Sequence, residues 1–283
     1  MDTNSWTIPG AQDEAILGNT HIPDGPPIAS AIIVHGFMGY KDYGFFPTIA
    51  DRLARAGVIA HRFNLSHSGI TENFERFERP DLFARNTWNR QVEDIGCVYS
   101  AVEGGELVGA GLPMFLVGHS RGAVASLLYT GQCAVRGEAG PVGVVTIASP
   151  DRCNSLNAEQ ESLLRQEGYL EIASARTGQT LRIDESFWEE QRDDPESHDV
   201  LGLVAKIQCP LMVMHGSDDP TVSPAAAEAI VSAAPNARQV MIPGANHVLN
   251  TPNPFDPAEE PPQPLAEALE QMLRFIEAGT ASR

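Results

Sequence analysis

The chain of 283 residues has room for one α/β core with an insertion, and 42% apolar against 20% charged residues exclude a disordered polyelectrolyte. Nineteen basic against 37 acidic residues give a formal charge of −18, which makes nucleic acid and anionic membrane surfaces poor partners. Cys97, Cys133, Cys153 and Cys209 show no C-x-x-C or C-x-x-H spacing, so neither a zinc site nor a dense disulfide frame is expected, and a reducing cytoplasm fits. The first 25 residues lack a basic patch followed by an apolar run, so no signal peptide is expected, and no stretch approaches the ~20 apolar residues of a membrane span.

Ser5–Ile8 and Glu14–Ile22 flank a polar turn and predict an antiparallel hairpin. Short apolar runs follow at Ala31–Val34, Val58–Phe63, Met114–Val117, Val142–Ile147, Leu211–Met214 and Gln239–Ile242, alternating with amphipathic stretches. That alternation predicts an α/β fold, a mostly parallel sheet covered by helices on both faces. Phe46, Ile49, Ala50 and Leu53 mark the core face of one helix, closed at Gly57; Trp88, Val92, Ile95, Tyr99 and Val102 mark another. Leu265, Leu269, Met272, Leu273 and Ile276 mark the last, after a Pro-rich, acidic stretch from Asn250 to Pro264 that reads as an exposed loop.

The alternation breaks between Pro150 and Pro210. Ser155–Gln166 reads as helix, Tyr169–Ala173 and Thr180–Ile183 as a hairpin around Arg176-Thr177-Gly178-Gln179, and Asp184–Gln191 as a further short helix. The span far exceeds the two to six residues of an ordinary βα loop. It reads as a cap at 151–205 inserted into a core made of 1–150 and 206–283. Leu163, Leu170, Ile172, Ile183, Phe187 and Trp188 are the cap's candidates for covering a pocket or for packing it onto the core.

Gly118-His119-Ser120-Arg121-Gly122 matches G-x-S-x-G, and it lies between an apolar strand and the small-residue run Ala123–Leu128. A nucleophile elbow requires that strand–turn–helix setting. A serine hydroxyl is a weak nucleophile at neutral pH, so it needs a base and the base needs an orienting carboxylate. His215-Gly-Ser-Asp-Asp-Pro-Thr-Val222 follows one strand and Gly244-Ala-Asn-His247 the next, which puts an acid and a histidine at the carboxyl edge of the sheet. The H-G-x-x-D-x-x-V spacing favours Asp219, with Asp218 the alternative. Two oriented backbone N–H groups would hold the oxyanion: that of Arg121, directly after the serine, and that of Phe37 in His35-Gly-Phe-Met-Gly39. Of the other histidines, His35 and His215 end strands, His119 sits in the elbow and His61 opens a strand. His21, His67 and His198 fall in polar loops, and most of the seven read as structural or solvated.

In this order and at these intervals, His35-Gly-Phe-Met-Gly, Gly118-His-Ser-Arg-Gly, His215-Gly-Ser-Asp-Asp and Gly244-Ala-Asn-His resemble the serine esterases of the α/β-hydrolase superfamily. Lys41-Asp-Tyr-Gly-Phe-Phe46 and the Arg-Thr-Gly-Gln turn resemble its serine aminopeptidase-like and dienelactone-hydrolase-like branch, to which bacterial feruloyl and cinnamoyl esterases are similar. The resemblance runs from about Ala31 to Ile276. It implies an α/β-hydrolase fold, a triad of Ser120, Asp219 and His247 and hydrolysis of carboxylic esters, with a small-molecule ester as partner and no metal or organic cofactor, but it does not fix the substrate; a pocket for small acyl or aryl esters under the cap is a separate expectation. Dienelactone hydrolases carry cysteine, and dehalogenases and epoxide hydrolases aspartate, where this chain has Ser120. The same triad also serves amidases, peptidases, thioesterases and acyltransferases, and the fold hosts ligand receptors without turnover.

Overall fold

A computed structural model describes residues 2–281. The strands are β1 (Asp2–Pro9), β2 (Ala15–Ile22), β3 (Ala29–Val34), β4 (Val58–Asn64), β5 (Met114–His119), β6 (Gly143–Ile147), β7 (Tyr169–Ala173), β8 (Thr180–Asp184), β9 (Leu211–Gly216) and β10 (Ala237–Ile242). The helices are α1 (Phe46–Arg55), α2 (Pro80–Ala84), α3 (Trp88–Glu103), α4 (Arg121–Arg136), α5 (Ala158–Glu167), α6 (Ser186–Asp193), α7 (Val200–Val204), α8 (Ala225–Ala233) and α9 (Gln263–Ala281).

Eight strands form one sheet in the order β1-β2-β4-β3-β5-β6-β9-β10, and β7 pairs with β8 apart from it. The hairpin β1–β2 joins β4 antiparallel; every pair from β4 to β10 is parallel. The central strands are apolar on both faces because successive side chains point to opposite sides and helices cover both. Ile32, Val34, Leu116, Val144 and Val213 face a core closed by Ile95, Val98, Leu127 and Ile230 of α3, α4 and α8. Ile33, Phe115, Val117, Val145 and Met212 face the other, closed by Ile49, Leu53, Leu269 and Met272 of α1 and α9.

Between β6 and β9 the chain runs through α5, the β7–β8 hairpin, α6 and α7. Here the elements differ at their ends from the sequence expectation. Helix α5 starts three residues late because the Asn157 side chain accepts from the Gln160 N–H and Gln160 returns a bond to the Asn157 N–H, a capping box that keeps Ser155 and Leu156 outside. Asp184 pairs with Tyr169 as the last residue of β8, so α6 begins only at Ser186. The five-residue helices α2 and α7 are too short to show a helical period in sequence. The four cysteines are free, and among the described residues no helix is long and apolar enough to cross a membrane.

Candidate active site

Strand β5 passes into α4 through Ser120, whose backbone takes φ 53° and ψ −120°, a combination costly for any residue with a Cβ. The flanking glycines make this turn possible. A Cβ on Gly118 would lie 2.5 Å from the Ala123 Cα, and one on Gly122 would lie 2.3 Å from the His35 carbonyl oxygen. Only bare backbone lets α4 start against the ends of β3 and β5. The strained serine therefore stands at the carboxyl edge of the sheet.

His247, in the loop after β10, brings Nε2 to 2.9 Å from Ser120 Oγ and Nδ1 to 2.8 Å from Asp219 Oδ2. Asp219 lies buried after β9, and its other oxygen accepts from the N–H groups of Thr221 at 2.8 Å and Val222 at 3.0 Å. Burial alone would raise its pKa. The hydrogen bonds from Val222, His247 and Thr221 outweigh that and hold the carboxyl below its usual range. Asp218 turns outward to the Ser217 hydroxyl instead. The carboxylate thus stays ionised beside the imidazole, and Asp219 rather than Asp218 is the one in contact with it.

Arg121 is the first residue of α4, so its N–H has no acceptor within the helix, and the Phe37 N–H donates to no backbone carbonyl among the described residues. The two residues also pack together. The buried Arg121 guanidinium sits 5.3 Å from the Phe37 ring centre, 4.6 Å from that of Trp88 and 4.5 Å from that of Phe187 in α6, and it donates to the Asn86 carbonyl at 2.8 Å. Burial lowers its pKa to about 10. Sequence reasoning assigned Arg121 only its backbone; the side chain also ties α6 to the elbow helix.

A cavity of about 300 Å³ opens over Ser120 and His247. Its walls come from the turn at Gly36–Gly39, from Tyr43 and Phe46, from Val248, and from Ser174, Ala175 and Arg176 in the turn between β7 and β8. No group of three or more His, Cys, Asp or Glu suited to a metal occurs among the described residues.

The sequence profile described as the alpha/beta hydrolase family matches residues 31–268. The chain belongs to the alpha/beta hydrolase family. No curated protein sequence matches it. Among solved structures, the hydrolase resembles Est1E from Butyrivibrio proteoclasticus with ferulic acid bound (TM-score 0.70, 17% identity, 98% of this chain and 99% of that one). It also resembles the esterase domain of a Rhodothermus marinus protein (0.65, 20%, 97% and 98%) and a putative hydrolase from Agrobacterium vitis S4 (0.71, 20%, 99% and 98%).

Two expectations for this hydrolase that left alternatives open are narrowed. None of Leu163, Leu170, Ile172, Ile183, Phe187 and Trp188 lines the cavity: Leu163 is exposed, while Leu170 and Phe187 are buried in packing. The hairpin reaches the cavity with its turn rather than its apolar strands. The remaining seven histidines are all buried, none solvated; His21 lies inside β2 and His61 inside β4. Each has at least one polar partner. His119 Nε2 donates to the His247 carbonyl at 2.9 Å, which fixes the loop that carries the triad imidazole. Burial, followed by the neighbouring His247, pushes the His119 pKa down to about 3, so it remains a neutral donor. The stretch Asn250–Pro264 is mostly exposed as expected, but Asn253 reaches back and its side-chain oxygen accepts from the Gly44 N–H at 2.9 Å.

Proposed function

We propose that this hydrolase cleaves carboxylic esters with small acyl or aryl groups through Ser120, His247 and Asp219. The observation that carries the reading is the hydrogen-bonded line from a strained, half-buried serine on the cavity wall through an imidazole to a buried carboxylate. Ser120 Oγ attacks the acyl carbon while His247 Nε2 takes its proton, and Asp219 holds the imidazole's tautomer and offsets its charge. The N–H groups of Phe37 and Arg121 receive the developing oxyanion. His247 then protonates the leaving alcohol, and a water activated by the same nitrogen releases the acid from Ser120. The volume of about 300 Å³ supports a small substrate, being at the lower end of ligand cavities. The neighbouring Est1E, with ferulic acid bound, supports an ester with an aryl acid among the candidates. The segment at 151–205 serves as a cap that walls the cavity with its hairpin turn.

A fluorophosphonate probe tests the reading. One equivalent should attach to the folded wild type at Ser120, none to Ser120→Ala, and short acyl esters should be turned over only by the wild type. A folded wild type that takes up no probe would remove the proposal.

A further inference from the structure

The cavity over Ser120 contains one cation for which ester hydrolysis as such has no use. Arg176 lies in the β7–β8 turn and shares the cavity wall with Ser120, His119 and His247. Its guanidinium lies 4.9 Å from the Tyr40 ring centre and 5.2 Å from that of Phe77, and Nη1 donates to the Phe74 carbonyl. Two aromatic faces and one carbonyl fix the group without neutralising it. Nη2 is shielded and has no hydrogen-bond partner among the described residues.

The chain has 37 acidic and 19 basic residues, so carboxylates are plentiful. Arg55, Arg79, Arg136, Arg182 and Arg274 each pair with a carboxylate. The ionisable groups that act on Arg176 are instead the phenols of Tyr40 and Tyr43, and burial keeps the Tyr43 phenol protonated by raising its pKa. Among the described residues Arg52, Arg76, Arg85, Arg90, Arg121 and Arg238 also have no carboxylate within ion-pair distance, but none of them lines the cavity wall, and Arg121 is enclosed by three rings. Arg176 is half-buried, and with one shielded, unpaired donor and no carboxylate beside it the guanidinium leaves a charge on the cavity wall that a ligand anion would neutralise.

We propose that Arg176 anchors a carboxylate on the substrate, so that the preferred esters carry a second, ionised carboxyl group: hemiesters of dicarboxylic acids, or acyl esters of hydroxy acids. The inference rests on the esterase reading and narrows its substrate class. The anionic group takes no part in bond making. Water adds across the ester C–O bond as for a neutral ester, and Arg176 acts on binding and orientation.

Two matched pairs test this. Monomethyl glutarate is compared with methyl valerate, where the anion is on the acyl side, and acetoxyacetate with propyl acetate, where it is on the alcohol side. In at least one pair, wild-type kcat/KM should favour the anionic ester tenfold or more. Arg176→Met should abolish that ratio and Arg176→Lys should keep part of it. A wild type that treats both pairs alike, or prefers the neutral member of each, overturns the proposal while leaving the esterase reading intact, and this arm stands even if Arg176→Met fails to fold. Persistence of the ratio in folded Arg176→Met overturns it equally. Turnover of none of the four esters, with no fluorophosphonate labelling, removes the esterase reading and the proposal with it.

Discussion

At the carboxyl edge of the sheet, each contact that positions Ser120, Asp219 and His247 has a backbone group on at least one side: a glycine pressed onto the His35 carbonyl, two N–H groups on the Asp219 carboxylate, the His119 imidazole bonded to the His247 carbonyl. Across the same cavity, the β7–β8 turn is positioned by side chains, with Gln179 bonded to the Phe77 backbone and Arg176 laid on aromatic rings. The first arrangement tolerates little substitution and suits chemistry that needs fixed distances. The second can change residue by residue without disturbing the elbow, which suits the choice of substrate.

The sharpest contrast is expected within one pair of neighbours at the sheet edge. Asp219→Asn should lower kcat by about 10⁴-fold, because the amide no longer fixes the imidazole tautomer. Asp218→Asn, which touches only the exposed Ser217 hydroxyl, should stay within about threefold. Steady-state kinetics on one short ester decide it; equal losses in both variants would dissolve the distinction.

Glycines offer a second break. Replacing Gly by Ala in a helix normally stabilises by about 1 kcal/mol. At Gly122 the added Cβ meets the His35 and Val34 carbonyl oxygens at 2.3 and 2.4 Å, so Gly122→Ala should instead destabilise by about 2–3 kcal/mol in urea unfolding and displace the Arg121 N–H. Gly178, in the β7–β8 turn, has open space around it and only its φ of +69° to oppose a side chain. Gly178→Ala should cost about 1 kcal/mol. If the two cost the same, the elbow is no more tightly fitted than the turn.

Legibility in the sequence follows the same division. The strands, the elbow and the three residues that meet at Ser120 were readable because each depends on local pattern: apolar runs of four to six residues, glycines around a serine, a His-Gly-x-x-Asp spacing. The hairpin at Tyr169–Ala173 and Thr180–Asp184 was readable from alternation. Which side of it meets the cavity was not, since that depends on the hairpin's docking against the loop around Phe77, a contact about a hundred residues away along the chain. That His61 and His119 are structural rather than solvated was hidden for a related reason. A partner such as the Val108 carbonyl for His61, or the His247 carbonyl for His119, lies far off in sequence and leaves no local signal.

Those histidines make the comparison depend on pH. Burial pushes His35 and His61 to about 4 and, together with the neighbouring His247, His119 to about 3, against about 6.5 in the unfolded chain. Between those limits the unfolded state binds protons that the folded core refuses. Stability is therefore fully present above pH 6.5 and is lost as pH falls towards 4. Near pH 5 these three buried groups alone give a slope of about 4 kcal/mol per pH unit, and His21 and His67, also pushed down to about 4 chiefly by burial, add to it with the same sign. Buried Asp94 has the opposite sign. Burial raises it to about 6 despite the hydrogen bonds it accepts from Ala11 and Ser66, so its ionisation weakens the fold as pH rises from about 4 to 6, offsetting about one proton of the three. In the segment between β6 and β9, burial pulls His198 down, but Glu190 at 3.5 Å and the Asp194 carbonyl raise its pKa overall, so it resists acid. Urea unfolding from pH 7 to pH 5 should show the core losing stability steeply; a flat profile would contradict neutral, buried imidazoles.

The most local effect is expected where the turn is tied down. Gln179 Oε1 accepts the Phe77 N–H at 2.8 Å and Nε2 donates to the Phe77 carbonyl at 3.0 Å, so a single amide substitutes for a strand neighbour. Gln179→Ala leaves that buried N–H unpaired, at a cost of about 1–2 kcal/mol. Because the elbow is untouched, the loss should fall on local opening and on KM rather than on kcat. Hydrogen exchange at Phe77 should quicken by about tenfold while amides in β5 and α4 keep their protection. Equal quickening in both places would mean that the turn and the elbow open as one unit, and the division between a rigid chemical edge and an adjustable wall would fail.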